Sequence, residues 1–181
     1  MLSLSGHKFY APKGVGALYV RKGINFEKLQ DGGEQEHNKR AGTENVAEIV
    51  ALGKAIEIIY NEFDDYNKKL KELRDYYISE LKKNFKDIQI NGDLEKRLPG
   101  NLNMSFKNID SQELLFKLDE SGICASAGSA CSTSNPMPSH VLTAIGLDKD
   151  KINGTLRFSF GKDNTKEDIN YLILTLKKIM K

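Results

Sequence analysis

The chain has 181 residues, enough to bury the core of one large domain or of a fragment plus a small domain. Its 27 basic and 25 acidic side chains leave a formal charge of +2, which gives no general drive towards nucleic acid or an anionic membrane. The sequence has no apolar run near the ~18 residues of a membrane span, and its first residues lack the pattern of a signal peptide, so a cytoplasmic protein is predicted. The spacing of Cys124 and Cys131 suits neither a close metal pair nor a disulfide framework, which predicts two reduced thiols and no metal site.

The first third of the chain reads as a strand, a polar loop and a long helical stretch. Residues 14–20 are apolar at both alternating sets of positions, which predicts a strand buried on two faces. Thr43 is predicted to begin a helix, and from Val46 onwards apolar residues recur at helical spacing. This pattern predicts one long helix, or two with a break near Asp64-Asp65, that bridges two domains. Gly53 within it is expected to permit a close packing contact, because glycine costs a helix roughly 1 kcal/mol.

The rest of the chain alternates short strands with short helices, which predicts a compact α+β domain from residue 66. Thr165 and Asp168 have the spacing of a capping box at the start of the last helix. The apolar patterns predict strands at 88–90, 102–106, 123–125 and 156–160, and helices at 111–120, at 139–145 and after 165.

The segment Ser5-Gly6-His7-Lys8, followed by Pro12-Lys13-Gly14, carries the first candidate for chemistry. A lysine with the ordinary pKa of ~10.4 is protonated and cannot attack an aldehyde, so a reactive lysine needs surroundings that lower its pKa or accept its proton. Small residues before Lys8 and a tight turn after it would hold its side chain in one pose. Taken alone, this short pattern also fits a surface lysine ahead of a strand.

A loop at 126–138, rich in Ser, Gly, Asn, Thr and Pro, contains Cys131. A thiolate on such a polar loop can attack a substrate sulfur and carry it away as a persulfide. Cys124, in the apolar strand before the loop, is predicted to be a small buried hydrophobe. His140 is predicted to begin a helix and to pack under the loop, in preference to serving as the base of a Cys–His pair.

Arg157 is flanked by Leu156 and Phe158, which are predicted to face the core. Its side chain should therefore leave on the polar face of the strand and find an anion there. A structural salt bridge and a bound ligand would both satisfy this requirement.

Three ordered segments together resemble one enzyme family. They are Ser-x-His-Lys-x-x-x-Pro-Lys-Gly-x-Gly-Ala-Leu-Tyr-Val-Arg from Ser5, the loop from Gly32 to Thr43, and Ser-Ala-Gly-Ser-Ala-Cys ending at Cys131. They resemble the NifS/IscS-type cysteine desulfurases, which belong to the aminotransferase class V group and use pyridoxal phosphate. The resemblance implies an α/β fold: residues 1–65 form the end of the large domain of a fold type I enzyme that uses pyridoxal phosphate, and residues 66–181 form its small C-terminal α+β domain.

The resemblance also implies a set of cofactor ligands. Lys8 would carry pyridoxal phosphate, and Ser5 and His7 would contact the phosphate. Thr43 would reach the phosphate bound by the other subunit of a homodimer, a role compatible with a helix N-cap because a helix N-terminus presents free N–H groups to an anion. Glu34 departs from the commoner Gly-Gly-Gly-Gln-Glu form of that loop.

For the reaction, the resemblance implies conversion of L-cysteine to L-alanine. Arg157 would bind the substrate carboxylate as a bidentate partner, and Cys131 would take the sulfur as a persulfide and pass it to an acceptor such as an iron–sulfur scaffold protein. Nothing in the sequence predicts a nucleic-acid or membrane partner. Selenocysteine lyase is an alternative that shares these motifs, although the loop around Cys131 favours cysteine.

In that family the histidine that stacks on the cofactor ring, the aspartate on its nitrogen and the glutamine on its ring oxygen lie upstream of the lysine, and this chain does not contain them. The 181 residues alone are therefore expected to have little or no desulfurase activity. Residues 1–65 are expected to expose apolar surface unless another chain covers it. A different class of function also stays open: a non-catalytic C-terminal half that serves as a dimerisation or scaffold-docking module, or one part of a split enzyme.

Overall fold

A computed structural model describes residues 1–127 and 139–180. The chain forms two compact units, Met1–Phe63 and Asp64–Lys181, which we call unit 1 and unit 2. Their assignment to the large and small domains of a longer fold stays a prediction. None of the helices in the described ranges is long and apolar enough to cross a membrane.

Unit 1 contains a two-stranded antiparallel ribbon and one long helix. In the ribbon, Leu4 lies opposite Ala17 and Ser5 lies opposite Gly16. The elements are strands β1 (Leu2–Ser5) and β2 (Gly16–Tyr19), a 3₁₀ turn (Gly6–Phe9), a single turn α1 (Gln35–Asn38) and helix α2 (Val46–Asn61). The small core of this unit comprises Ala11, Leu52 and Ala55, with Leu4, Phe9 and Val15 packed against them.

The prediction that the strand at 14–20 is buried on two faces is wrong. All four residues of β2 are exposed, including Leu18 at 52% and Tyr19 at 60%. Within the described residues β2 pairs with β1 alone, and the ribbon residue that packs against the core of unit 1 is Leu4 of β1. This agrees with the expectation that residues 1–65 expose apolar surface.

Helix α2 corrects two expectations. It begins at Val46, and its N-cap is Asn45, whose Oδ1 accepts from the backbone N–H of Glu48 at 3.4 Å. Thr43 therefore lies before the helix and does not cap it, because the Asn45-to-Glu48 spacing offers a better capping pair. The alternative of two helices with a break near Asp64-Asp65 is confirmed, since the helical stretch breaks at Glu62. A Cβ at Gly53 would meet nothing within 4 Å, so this glycine makes no close packing contact.

Unit 2 is a three-stranded antiparallel sheet in the order β3-β4-β5 with helices packed on one face. Its strands are β3 (Ile88–Ile90), β4 (Asn101–Phe106) and β5 (Thr155–Ser159). Its helices are α3 (Phe63–Asn84), which begins at the last residue of unit 1, α4 (Ser111–Glu120), α5 (His140–Ala144), α6 (Lys149–Asn153) and α7 (Lys166–Ile179). The predicted capping box is confirmed, since Thr165 Oγ1 accepts from the Asp168 N–H and Asp168 Oδ2 accepts from the Thr165 N–H.

The alternation of β4 and β5 sorts their side chains onto two faces of this sheet. Leu102, Met104 and Phe106 are fully buried against α3, α4 and α7. Tyr77 of α3 is completely buried, contacts the ring of Phe158 edge-on at 5.4 Å between centroids, and has a pKa raised well above its usual range by burial. The opposite face carries the polar residues of both strands, so the core fixes where the polar side chains lie.

The expectation for Cys124 is wrong. Residues 123–125 form no strand; the backbone pairs with β5 only at Ser126, which lies opposite Arg157. Without sheet partners on both sides, the Cys124 side chain lies in an open groove on the surface and is exposed. Leu115, Phe116 and Ile123 line the same groove beside α4. His140 begins α5 as predicted and is exposed, while the loop it was expected to support lies outside the described residues.

Candidate active site

The turn that carries Lys8 is built around a buried glycine. Ser5 ends β1, and His7 and Lys8 occupy the 3₁₀ turn, where all three side chains are exposed. Gly6 is buried, and its N–H donates to the carbonyl of Val15 at 2.9 Å. A Cβ at Gly6 would lie 3.0 Å from Leu52 Cδ1, so the turn rests directly on helix α2. Packing of the backbone thus fixes the turn and leaves the hydroxyl, imidazole and amine directed away from the core.

These exposed groups suit a phosphorylated aldehyde. The hydroxyl of Ser5 and the imidazole of His7 can donate to phosphate oxygens, and the amine of Lys8 can bond to a carbonyl carbon. The three groups lie within four consecutive residues, and the buried Gly6 between them anchors the backbone of the turn. The donor set is therefore compatible with pyridoxal phosphate, and the role of Lys8 stays a prediction.

The polar loop before α2 is closed by one side chain. Gln35 Oε1 accepts from the backbone N–H of Gly42 at 3.1 Å. A Cβ at Gly33 would lie 2.5 Å from the same oxygen, so only glycine there lets the Gln35 side chain fold back. Thr43 directly follows the residue that Gln35 holds, and it is exposed. Gln35 therefore sets the position from which Thr43 leaves the loop.

Backbone strain is concentrated in the same loop. Glu36, His37 and Asn38 have φ angles of 51°, 56° and 61°, a run of left-handed residues that are not glycine. Each costs roughly 1–2 kcal/mol relative to ordinary conformations. The Lys28 ammonium donates to Asn38 Oδ1 at 2.9 Å and helps to hold this turn. Strain of this kind persists where surrounding contacts impose it, and it clusters at functional sites.

Replacing Gln35 with alanine is expected to open this loop. The Gly42 N–H would lose its acceptor, which costs about 1 kcal/mol, so exchange of that amide should accelerate by about five- to tenfold. Hydrogen exchange measured by NMR at Gly42 checks this, with Gln35→Glu as the matched variant because it keeps an acceptor oxygen. Equal protection of Gly42 in the alanine and glutamate variants would contradict the assignment.

Arg157 lies in the middle of β5, between the core residues Leu156 and Phe158, and its half-buried side chain points to the polar face as predicted. Its backbone N–H donates to the Ser126 carbonyl at 2.7 Å, and its carbonyl accepts from the Ser126 N–H at 3.1 Å. This bridge places Arg157 beside the residue where the loop containing Cys131 begins. Cys131 itself lies outside the described residues.

Residues 1–172 match the aminotransferase class-V family. The chain belongs to that family. Among curated relatives, a cysteine desulfurase IscS of Dictyoglomus turgidum is 50% identical over 180 residues, which cover 99% of this chain and 46% of that protein. A cysteine desulfurase IscS of Methanosarcina thermophila is 47% identical, with 99% of this chain and 44% of that protein covered. This class-V chain thus spans less than half the length of the curated relatives it matches.

Solved structures agree with the class-V assignment and show the fold. A NifS-like protein matches 98% of this chain with a TM-score of 0.87 and 36% identity, and the match covers 45% of that structure. A NifS-like protein from Rickettsia africae gives a TM-score of 0.88 at 30% identity, over 98% of this chain and 46% of that structure. The class-V chain therefore has the fold of part of a NifS-like, fold type I enzyme, as the motifs predicted.

Sequence reasoning missed Gln35 as a loop closure and Asn103 as a polar neighbour of Arg157. The signal for Gln35 was available in the Gly-Gly-x-Gln pattern, because the second glycine makes room for the glutamine side chain. Asn103 stood out only as a polar residue between two core residues of β4, and its pairing with Arg157 depends on the strand register.

Proposed function

We propose that this chain is the half of a cysteine desulfurase that contains the cofactor lysine and the sulfur-carrying cysteine, converting L-cysteine to L-alanine with a persulfide on Cys131. The observation that carries the proposal is the exposed Ser5-Gly6-His7-Lys8 turn fixed on a buried glycine, in a chain 50% identical to a cysteine desulfurase IscS. The parent enzyme is a cytoplasmic homodimer in this proposal, and Thr43 serves the phosphate site of the partner subunit. Since Thr43 is not used as a helix cap, its hydroxyl is available for that role.

Each proposed site residue has a separate task. Ser5 and His7 donate hydrogen bonds to phosphate, and Lys8 holds the cofactor and moves the proton of the substrate α-carbon. Pyridoxal phosphate, when bound, supplies the electron sink for bond cleavage next to that carbon. Arg157 binds the substrate carboxylate and fixes its orientation.

The sulfur step belongs to Cys131. Its thiolate attacks the substrate sulfur, so an S–S bond forms while the C–S bond breaks, and the carbon skeleton leaves as alanine once protonated. The persulfide then passes to a thiol acceptor such as an iron–sulfur scaffold protein. The loop holding Cys131 begins at Ser126, which is paired with Arg157, and this connection supports a shared site for carboxylate binding and sulfur transfer.

A split enzyme or a docking module is a second candidate, favoured by the exposed apolar side chains of unit 1. Leu2 is 60% exposed, and Leu18, Tyr19, Val50 and Tyr60 are also exposed. The chain covers 46% of the length of its Dictyoglomus turgidum relative, so a complementary N-terminal portion would supply the missing layer. If the chain is one part of a split enzyme, it has little activity alone and becomes active when the N-terminal portion binds to it.

Co-expression tests both forms. The chain is produced with and without the N-terminal portion of the Dictyoglomus turgidum relative, in the presence of pyridoxal phosphate, and visible absorbance and alanine release from L-cysteine are measured. We expect absorbance and activity only in the pair. Lys8→Ala should remove both, whereas Cys131→Ser should keep the absorbance and lower alanine release by about a thousandfold.

Two outcomes would overturn the proposal. Full activity in the pair carrying Cys131→Ser would exclude this residue as the sulfur carrier. A pair that assembles, as judged by size-exclusion chromatography, but develops neither absorbance nor activity would leave the docking module as the function. Faster alanine release from selenocysteine than from cysteine would assign the selenocysteine lyase alternative.

A further inference from the structure

The polar face of the sheet in unit 2 contains four side chains in one row. Asn91, which follows β3, has its backbone N–H donating to the carbonyl of Asn103 in β4 at 2.9 Å. Asn103 lies opposite Arg157 in β5, and Arg157 lies opposite Ser126. Opposed residues of antiparallel strands direct their side chains to the same face. We call these four residues the polar row, and its single charge is that of Arg157.

Arg157 and Asn103 form the closer kind of antiparallel pair. Both backbone groups of Arg157 bond to Ser126, so its pair with Asn103 is not hydrogen-bonded through the backbone. In such pairs the Cα atoms are only ~4.5 Å apart and the side chains approach closely. The next pair on the same face of these strands, Ser105 and Thr155, shows this close approach directly, because its two hydroxyl oxygens are 2.7 Å apart.

A chain of buried hydrogen bonds determines which way the Asn103 amide faces. Thr155 Oγ1 donates to the carbonyl of Lys151 at 2.6 Å, so its proton is used and Ser105 must donate to it. Ser105 Oγ then accepts from Asn91 Nδ2 at 2.8 Å. The other Nδ2 hydrogen of Asn91 goes to Asn103 Oδ1 at 2.9 Å.

The acceptor oxygen of Asn103 is thereby occupied, and its NH₂ group presents donors to its other surroundings. One cost of this arrangement is that Asn91 Oδ1 is buried without a hydrogen-bond partner among the described residues. Asn91 is only 2% exposed, so the orientation is set inside the protein and not by solvent.

We propose that the Asn103 side-chain NH₂ donates a hydrogen bond to the substrate carboxylate that Arg157 binds in the proposed function. A guanidinium donates two parallel N–H bonds to the two oxygens of a carboxylate, which retains further lone pairs for an amide N–H. Asn103 thus adds a third bond and sets the angle of the carboxylate about the Arg157 plane. The role of Arg157 and the identity of the amino acid rest on the proposed function, whereas the placement of Asn103 rests on the geometry of the polar row.

The test is a ligand titration of the ¹⁵N-labelled chain followed by NMR. L-alanine, the product of the proposed reaction, is compared with L-alaninamide, which lacks the carboxylate. We expect saturable shifts of the Asn103 side-chain NH₂ and the Arg157 Nε signals with alanine alone. Asn103→Asp keeps the acceptor for Asn91 but replaces the donors by a negative charge, so alanine binding should weaken by about tenfold or more.

Asn101→Asp is the matched control, because Asn101 lies on the same strand and face, opposite Ser159, and carries the same change of charge. Its effect on alanine binding should stay below about threefold, since it lies one pair away and charges in water are screened. Asn103→Ala, checked by thermal unfolding, gives a second measure if the aspartate variant is unstable. Equal effects of the two aspartate variants, or equal shifts with alaninamide, would overturn the inference.

This titration contains neither cofactor nor reactive sulfur. A chain that binds alanine through Asn103 but forms no persulfide in the co-expressed pair would lose the proposed function and keep the carboxylate site. If Asn103→Asp changes neither desulfurase activity nor alanine binding, the proposed function is kept and the role of Asn103 is lost.

Discussion

Replacing Gly154 with alanine is expected to unfold much of unit 2. A Cβ at this position would lie 2.2 Å from the carbonyl oxygen of Phe106 and 3.0 Å from that of Ile109. Both obstacles are backbone atoms, so no side-chain rotation can relieve the clash. The Gly154 carbonyl also accepts from the Phe106 N–H at 2.8 Å, and moving the segments apart breaks that bond. Because the Phe106 side chain is fully buried, the displacement opens the core, and we expect a loss of about 3 kcal/mol or more.

Urea unfolding followed by circular dichroism measures this loss, and Gly122→Ala separates the clash from backbone strain. Gly122 has a φ of 73°, and a Cβ there would meet nothing within 4 Å. Its replacement therefore costs only the left-handed conformation, about 1–2 kcal/mol. If Gly154→Ala is as stable as Gly122→Ala, the prediction is wrong, because the end of β4 at Phe106 can then move away from the new Cβ without loss of stability.

Features set by neighbouring residues could be predicted from the sequence. The strand at β4 and the Thr165–Asp168 capping box both follow from local spacing, and the structure contains them. The exposed turn at Lys8 is also local, because Ser5, His7 and Lys8 lie within four consecutive residues, while their roles stay predictions. These features can be predicted because periodicity and capping involve only residues that are a few positions apart in the sequence.

Features that depend on distant partners could not be predicted in this way. An apolar run at β2 indicates burial, but burial requires a layer that the described residues do not provide. Cys124 reads as a core residue by its neighbours and is exposed because only Ser126 pairs with β5. The part of the candidate site formed by Asn103 belongs to the same class, since it exists only in the register that sets Asn103 opposite Arg157.

Gly6→Ala is expected to detach the turn that carries Lys8. A Cβ at Gly6 would lie 3.0 Å from each of three atoms: Ala11 Cβ, Leu52 Cδ1 and the Val15 carbonyl oxygen. Ala11 and Val15 lie in the segment between the turn and β2, and Leu52 lies in α2, so a shift away from one moves the Cβ towards another. Overpacking of this kind costs about 1–3 kcal/mol. The core of unit 1 is too small to absorb that cost, because Ala11, Leu52 and Ala55 are its buried members.

Hydrogen exchange reports this detachment. The Ala11 N–H, which donates to the Gly6 carbonyl at 3.1 Å, should exchange about thirtyfold faster in Gly6→Ala, as a cost near 2 kcal/mol implies. Gly53→Ala is the matched control, since its Cβ meets nothing and α2 should gain about 1 kcal/mol. Unchanged protection of Ala11 in Gly6→Ala would contradict the prediction.

The same variant connects packing to chemistry. If the turn is held only through Gly6, the co-expressed pair carrying Gly6→Ala should lose the absorbance of the bound cofactor even though Ser5, His7 and Lys8 are all present. A pair that keeps full absorbance would show that the cofactor itself can order the turn. The position of Lys8 would then depend on ligand binding and not on the contact with α2.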